Sequence, residues 1–267
     1  MDGVVIAGIL NVTPDSFSDG GQYLLTEQAV ARGLQMAHEG AHWIDVGGES
    51  TRPGAHAVSE QDEAARVVPV VESLVRRLPD HIVSVDTSKA AVADKVLGAG
   101  AHVINDVTGL EDPEMAATVA RHEAELVIMH MRGTPRSMQT NTDYHDLLGE
   151  IEEALMAKAA KAAKAGIPAH RLVLDPGIGF GKAPTDNALL IQHVQRWKAQ
   201  GHRVMIGASR KSFLGHLTGV ADPGARLAGS LGAALAAAVN GADILRVHDV
   251  KETRDALVVF EACRRTG

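Results

Sequence analysis

The sequence predicts an α/β chain that folds as a single (β/α)8 TIM barrel over residues 1–267. Two observations lead to this prediction. The length of 267 residues is close to the roughly 250 residues that one such barrel typically needs. Short apolar runs rich in β-branched residues also alternate with longer segments of helical spacing, which predicts parallel strands joined by right-handed crossovers. A doubly wound open sheet is the competing architecture.

Eight apolar runs are the predicted strands, and two of the segments between them show clear helical periodicity. Nearly continuous apolar strands are typical of a sheet that is covered on both faces. The strands are Val4–Leu10, Trp43–Val46, Ile82–Val85, Val103–Ile104, Leu126–Met129, Leu172–Leu174, Val204–Ile206 and Ile244–Val247, and the helices are Glu60–Leu78 and Leu147–Ala165.

A weak internal repeat favours the closed barrel over the open sheet. The segments Gly40–Asp45, Gly100–Asn105 and Gly241–Arg246 share one order of residues. A helix ends on glycine, a favoured left-handed cap, and a short apolar strand and a polar residue follow. Because no linker or low-complexity stretch interrupts the chain, we expect one domain.

Polar side chains stand at the end of every predicted strand. Any single one could be the N-cap of the next helix. Eight polar ends together are harder to explain as caps, and in a barrel they converge on the face where active sites lie. These residues are Asn11, Asp45, Asp86, Asn105, His130, Asp175, Ser209 and the pair Arg246 and His248.

Composition limits the possible partners and surroundings. The net charge is −7 with interspersed charges, which argues against a nucleic-acid partner because such a partner requires a clustered basic face. No apolar run approaches the ~20 residues that cross a bilayer, so no membrane association is expected. Cys263 is the only cysteine, and the absence of a visible signal peptide completes the expectation of a cytoplasmic protein. The histidines lack zinc-ligand spacing, and no structural zinc is expected.

The glycine-rich segment 175–182 and the last two strands carry the clearest chemical signals. Asp175 and a Phe180 that is expected to be exposed suit a flat heterocycle with donor nitrogens, because a carboxylate accepts N–H bonds and repels phosphate. Arg210 and Lys211 follow strand seven, and Arg246 and His248 share one face of strand eight. These candidate cations could hold one anion.

Four further residues are expected to have structural roles. His130 is expected in the pocket wall or in the core. Lys158, Lys161 and Lys164 lie late in a long helix and are expected to complement the helix dipole without forming a partner site.

Seven motifs follow one another along nearly the whole chain: Gly8–Gly21, Glu49–Gly54, Asp86–Thr87, Ile104–Val107, Asp175–Lys182, Ser209–Ser212 and Arg246–Asp249. In sequence and in order, these motifs resemble those of the dihydropteroate synthases of the folate pathway. Many members of that family begin with an additional β-hairpin that plugs the barrel floor, whereas few residues precede the first strand here.

The resemblance implies a condensation of 6-hydroxymethyl-7,8-dihydropterin pyrophosphate with 4-aminobenzoate, which gives 7,8-dihydropteroate and pyrophosphate. It further implies Mg²⁺ as cofactor on Asn11, inhibition by sulfonamides, and a homodimer formed through late helices such as Leu227–Val239. In the implied mechanism pyrophosphate leaves first and the arylamine attacks the resulting pterin cation.

The resemblance also assigns residues to each ligand. Pterin binding falls to Asp86, Asn105, Val107, Met129, Asp175, Lys211 and Arg246. Pyrophosphate binding falls to Asn11, Arg52, Arg246 and His248. Binding of 4-aminobenzoate falls to Phe17, Thr51, Pro53, Phe180, Ser209 and Lys211. The implied catalytic residues are Asp86, Asp175, Lys211 and Asp19.

Two other functions fit parts of the pattern. A pterin-binding methyltransferase barrel shares the wall of Asp and Asn residues, but it has no need of the Arg246 and His248 pair or of the Ser-Arg-Lys loop. A non-catalytic pterin-binding paralogue should have lost Asn11, Arg52 or Lys211, and all three are present.

Overall fold

The computed structural model describes residues 3–13, 22–50, 57–133, 138 and 142–264, with only the backbone for 22–24. Within these residues eight parallel strands pair in chain order, and β8 pairs with β1, so that the sheet is a closed barrel. This ring confirms the predicted barrel and rules out the open sheet. The strands are β1 (Val5–Asn11), β2 (Trp43–Gly47), β3 (Ile82–Asp86), β4 (Val103–Asp106), β5 (Glu125–Met129), β6 (Leu172–Asp175), β7 (Arg203–Ile206) and β8 (Ile244–Val247).

Ten α-helices surround the barrel in the described part of the chain. Each of these helices is too short or too polar to span a bilayer. The helices are α1 (Gln22–Glu39), α2 (Glu60–Arg77), α3 (Ala90–Gly98), α4 (Met115–Arg121), α5 (Leu147–Lys164), α6 (Pro184–Gln192), α7 (Val194–Lys198), α8 (Ser212–Thr218), α9 (Leu227–Val239) and α10 (Val250–Arg264).

Helix α2 is one of the two helices whose bounds were predicted, and its sequence shows why the pattern located it well. Its N-cap Ser59 accepts a hydrogen bond from the backbone N–H of Asp62 at 3.1 Å, which satisfies one of the free donors of the first turn. Three acidic residues lie in the first turn and two arginines in the last, and both ends complement the helix dipole. The helix ends one residue before the predicted Leu78, where φ of −127° leaves the helical region.

Several strands extend one or two residues beyond the predicted ends and include the polar residues. The parallel pairing continues through Asp86 opposite Asn105 and through Met129 opposite Asp175. Pairing with the neighbouring strands therefore fixes the positions of these residues. The local apolar pattern of the sequence does not reveal this pairing. Their backbone is held by the sheet, so the polar groups stand on a rigid rim.

The internal repeat corresponds to a recurring bond at the N-terminal end of the barrel. Gly40, Gly100 and Gly241 end their helices at φ of +107°, +99° and +96°, as the left-handed cap predicts. The residue two positions later accepts a hydrogen bond from a backbone N–H near the start of the preceding strand. The three bonds are Ile6 to His42 Nδ1 (3.0 Å), Val83 to His102 Nδ1 (3.1 Å) and Val204 to Asp243 Oδ2 (2.9 Å).

Apolar side chains fill the floor end of the barrel. They form a buried cluster separate from the main core between strands and helices. Trp43 is its largest member, and the Arg203 guanidinium lies 5.8 Å from the Trp43 ring while it pairs with Glu125. This packing fills the N-terminal end of the barrel. The polar side chains lie at the opposite, C-terminal ends of the strands, where they can form a site. The cluster consists of Ala7, Trp43, Val103, Val127, Val173, Met205 and Ile244.

Candidate active site

A cavity at the C-terminal ends of the strands encloses about 320 Å³, part of it open to solvent. All seven residues that the resemblance assigns to the pterin line it, together with Phe180 and with Ile178 and Gly207, which were not predicted. The lining residues are Asp86, Asn105, Val107, Met129, Asp175, Ile178, Phe180, Gly207, Lys211 and Arg246.

Asp86 and Arg246 form an ion pair at one side of this cavity. Arg246 Nη2 donates to Asp86 Oδ2 at 2.8 Å, and Arg246 Nε donates to Asp45 Oδ2 at 2.6 Å. Burial raises the pKa of Asp86 to about 7; Arg246 opposes the rise, and the neighbouring carboxylates of Asp45, Glu63 and Asp106 add to it. Burial disfavours the charge of Arg246, but Asp45 and Asp86 outweigh it and raise its pKa.

Asp175 lies at the end of β6, where a glycine-rich turn begins. Its carboxylate accepts the backbone N–H of Gly177 at 2.7 Å. Burial raises the pKa of Asp175, although this bond and Lys211 oppose the rise. Only glycine fits at 177, because φ is +74° and a Cβ would lie 1.9 Å from the carbonyl oxygen of His130.

The same turn places Phe180 against Lys211. The Lys211 ammonium lies 3.9 Å from the centre of the Phe180 ring, a distance at which a cation and an aromatic face attract each other. Burial and the nearby Arg246 lower the pKa of Lys211 to about 8, against the opposing effect of Asp175 and Asp86. The expectation that Phe180 is exposed was wrong: it is 7% exposed, because the turn folds its ring into the cavity wall.

Arg210 was counted among the candidate cations for the anion, and the structure gives it a different place. Its backbone has φ of +58°, its N–H donates to Ser230 Oγ at 2.9 Å, and its carbonyl accepts from Arg226 at 3.0 Å. Its side chain donates to Asp249 Oδ2 at 3.1 Å. Arg210 therefore ties the loop after β7 to the end of β8 and lies outside the cavity lining.

His248 and Ser209 lie beside the cavity and contact each other. Ser209 Oγ accepts the backbone N–H of His248 at 3.2 Å and lies 3.0 Å from His248 Nδ1. Burial, Arg246 and Arg210 lower the pKa of His248 to about 3. Its ring is therefore neutral near pH 7, so the expectation that His248 serves as a cation is corrected: it can offer a hydrogen bond but no charge.

Asn11 is the last residue of β1 and offers one neutral side-chain oxygen at the rim. Its Oδ1 lies 3.8 Å from the position that a Cβ on Gly47 would take. In the described parts of the chain no three His, Cys, Asp or Glu side chains could together hold a metal ion. Of the described residues, Asn11 alone is proposed here to offer a divalent cation a side-chain oxygen, and an amide oxygen together with phosphate and water oxygens would suit Mg²⁺.

The remaining predicted residues are Phe17, Asp19, Thr51, Arg52 and Pro53. They lie outside the described residues, so the structure says nothing about their positions. Their assignment to pyrophosphate, to 4-aminobenzoate and to catalysis stays a prediction.

Lys182 lies outside the cavity lining and contacts the backbone of Phe180, which belongs to that lining. It is 3% exposed, and its ammonium donates to the Phe180 carbonyl at 2.8 Å and contacts His130 Nδ1 at 3.1 Å. Burial lowers the pKa of Lys182 to about 7, although Asp175 opposes the change. His130 is buried as expected for a core residue, and burial together with Lys182 lowers its pKa to about 2.

Lys158 and Lys161 have a role that the sequence reading missed. Lys158 donates to the carbonyls of Thr108 and Met129, both at 3.1 Å. Lys161 donates to the Leu110 carbonyl at 2.6 Å. The two lysines therefore hold the loop after β4, next to Val107. Their spacing of three residues, which places both on one helix face, was the available signal.

Comparison with known proteins agrees with this geometry. A model of the family described as pterin binding enzyme matches residues 7–248. The dihydropteroate synthase of Escherichia coli strain K12 is 45% identical over 257 residues, which cover 96% of this chain and 90% of that protein.

Two solved structures are similar over nearly their full length. The Xanthomonas albilineans dihydropteroate synthase with 4-aminobenzoic acid is 45% identical with a TM-score of 0.93, covering 100% of this chain and 95% of that one. The Yersinia pestis dihydropteroate synthase in complex with a sulfonamide drug is 46% identical with a TM-score of 0.92, covering 98% of this chain and 94% of that one. The chain therefore belongs to the pterin binding enzymes and, among them, to the dihydropteroate synthases, transferases of folate biosynthesis.

Proposed function

We propose that this chain condenses 6-hydroxymethyl-7,8-dihydropterin pyrophosphate with 4-aminobenzoate and releases pyrophosphate. The observation that carries the proposal is the composition of the cavity wall. One cavity brings together two buried carboxylates, a carboxamide, a lysine and an arginine. Acceptors suit the N–H groups of a pterin ring, and cations suit the departing anion.

Asp86, Asn105 and Asp175 are the proposed ring-binding residues. An ionised carboxylate accepts N–H bonds more strongly than a neutral acceptor does. Both carboxylates lie at strand ends, where the sheet fixes their backbone. Val107 and Met129, both buried, would pack against the flat face of the ring.

The reaction breaks the bond between the pterin methylene carbon and the pyrophosphate oxygen, and that oxygen keeps the electron pair. The amine nitrogen then forms a bond to the carbon and loses a proton. Arg246 and Lys211 would stabilise the negative charge that develops on the leaving group, while Asp86 and Asp175 would stabilise the pterin cation. Neutral His248 would donate to a phosphate oxygen through Nε2–H when Ser209 donates to Nδ1.

Asn11 is the proposed protein ligand of Mg²⁺. When bound, the ion would neutralise charge on the pyrophosphate oxygens. With a single amide oxygen from the described residues, affinity for the ion would depend on the presence of pyrophosphate.

Phe180 and Lys211 form the described part of the proposed 4-aminobenzoate site, with Ser209 nearby. A sulfonamide carries a similar aryl amine, so we propose that sulfonamides compete there, in line with the drug complex of the Yersinia pestis relative. We further propose a cytoplasmic homodimer, and sedimentation equilibrium would test the dimer.

Release of pyrophosphate on mixing both substrates tests the proposed function. We expect Mg²⁺-dependent release that requires 4-aminobenzoate for sustained turnover, together with formation of dihydropteroate. EDTA should abolish turnover, and added Mg²⁺ should restore it. A pterin-binding methyltransferase or a non-catalytic binding protein would release no pyrophosphate, and that result would refute the proposal.

A further inference from the structure

Asp45 lies beneath the cavity and is outside its lining. Its side chain is 1% exposed, and its carboxylate accepts three hydrogen bonds from three different strands. Ser84 Oγ of β3 donates at 2.6 Å, Asn105 Nδ2 of β4 at 3.3 Å and Arg246 Nε of β8 at 2.6 Å. Two of these three donors line the cavity.

We propose that Asp45 is a positioning residue that fixes the orientations of the Asn105 carboxamide and of the Arg246 guanidinium at the ring-binding cavity. The proposal deepens the proposed function and rests on it, since it assumes that these two side chains contact the pterin substrate. Asp45 itself would not contact the substrate.

The carboxylate of Asp45 determines which end of the Asn105 amide faces the cavity. A carboxylate offers only acceptors, so the amide must turn its NH₂ group toward Asp45. The amide oxygen is then left to accept an N–H of the ring. If the amide were reversed, it would present a donor to the donor edge of the ring and leave a lone-pair repulsion against Asp45.

Arg246 is held between two carboxylates. Nε is bound to Asp45 and Nη2 to Asp86, which fixes the plane of the guanidinium. No described residue accepts a hydrogen bond from its Nη1, so this group is left to bind an anionic substrate group. Without Asp45 the guanidinium would keep only the bond to Asp86 and could rotate about it.

Asp45→Ala, which leaves no acceptor at position 45, tests this proposal through the binding of two separate ligands, measured by calorimetry on the full chain with Mg²⁺ present. The affinity for 7,8-dihydropterin should fall at least about tenfold, because the Asn105 amide is no longer oriented. The affinity for inorganic pyrophosphate should change by less than about threefold, because Arg246 keeps its charge and loses a competing carboxylate. In turnover the loss should appear mainly as a higher KM for the pterin substrate.

The pH profile gives a second readout that loss of packing would not produce. The charged groups that face Asp86 are Arg246, Lys211, Asp45, Glu63 and Asp106. Because the Asp45 charge raises the pKa of Asp86, its removal should move the acid limb of kcat/KM to lower pH. Ser84→Ala is the matched control: it removes one donor, leaves the Asp45 charge in place, and should leave the acid limb within 0.2 pH units, an allowance set by about 0.3 kcal/mol.

Three outcomes are decisive. Loss of dihydropterin affinity with retained pyrophosphate affinity supports the proposal. Parallel loss of both affinities with a lower melting temperature would reduce Asp45 to a packing role, and unchanged dihydropterin affinity would overturn the proposal outright. Asp45→Val, which is apolar and closer in size to Asp, repeats the test if Asp45→Ala does not fold. Failure of the wild type to release pyrophosphate would count against the proposed function, while the binding experiments would still decide the role of Asp45.

Discussion

Asp86 and Lys211 line the same cavity with opposite charges, and burial disfavours the charge on each. The pKa of Asp86 rises to about 7 and that of Lys211 falls to about 8. Asp86 is charged above the lower value and Lys211 is charged below the upper value. The two groups are therefore charged at the same time only in a narrow range near neutral pH. Titration of the two groups is therefore expected to limit substrate binding from both sides.

We expect a bell-shaped dependence of kcat/KM on pH, with apparent pKa values near 7 and 8. As pH falls through the lower value, Asp86 gains a proton and loses its capacity to accept a ring N–H as a carboxylate. As pH rises through the upper value, Lys211 loses the charge that stabilises the leaving group. Steady-state rates from pH 5.5 to 9.5 would measure both limbs.

Lys211→Arg separates the two limbs. Arginine stays charged throughout this range, so the alkaline limb should move upward while the acid limb stays in place, whatever the loss in absolute rate. If the alkaline limb stayed near pH 8 in this variant, its assignment to Lys211 would be wrong.

Removal of a single charged side chain from the cavity should strongly lower kcat/KM. Lys211→Ala and Asp175→Asn should each lower kcat/KM by at least about a hundredfold with the fold intact, because loss of a charged partner inside a buried network costs a few kcal/mol. Lys251→Ala is the control, since that side chain is 59% exposed on α10 and its kcat/KM should match the wild type. Near-normal turnover by either cavity variant would remove that residue from the site.

At the scale of the elements, local sequence predicted which strands exist but not where each ends. Apolar runs revealed the eight strands because burial on both faces makes them uniformly apolar. Asp86 and Asp175 belong to strands through pairing with neighbours that are distant in sequence. Asp45 and Arg246 lie 201 residues apart in sequence, so only the closed barrel shows that they form a pair.

The repeated bond at the barrel floor should contribute measurably to stability. His42→Leu removes the acceptor for the Ile6 N–H, which should lower the free energy of unfolding by about 0.5–1.5 kcal/mol at pH 8. Urea unfolding would measure it. Burial and His81 lower the pKa of His42 below 6.5. The wild-type advantage should therefore shrink as pH falls through 6.5, where the unfolded chain gains the proton first.

His42→Asn is the matched variant for this measurement. Its amide oxygen can replace Nδ1 as acceptor, as Asp243 already does for Val204, and it does not titrate. We expect its stability to stay close to that of the wild type at pH 8 and to exceed it at pH 5.5. Equal losses in the Asn and Leu variants would show that His42 acts through packing alone.

At the scale of the whole molecule, the barrel places cations in one cavity of a chain with net charge −7. The described side of the proposed 4-aminobenzoate site comes from the segments after β6 and β7, where Lys211 contacts the Phe180 ring. The other predicted residues follow β1 and β2, close in sequence to Asn11 and Arg52, the proposed ligands of pyrophosphate. Bound pyrophosphate would therefore contact residues next to both segments that complete the proposed 4-aminobenzoate site.

We expect 4-aminobenzoate to bind appreciably only after pyrophosphate and Mg²⁺ are bound, and sulfonamides to compete for the same place. Thr51 and Pro53 flank Arg52 in the sequence, so pyrophosphate that binds Arg52 would position both residues before the amine arrives. Calorimetry of 4-aminobenzoate with and without pyrophosphate and Mg²⁺ measures the order directly. Equal affinity under both conditions would contradict it, and sulfonamide inhibition that excess 4-aminobenzoate fails to relieve would show separate sites.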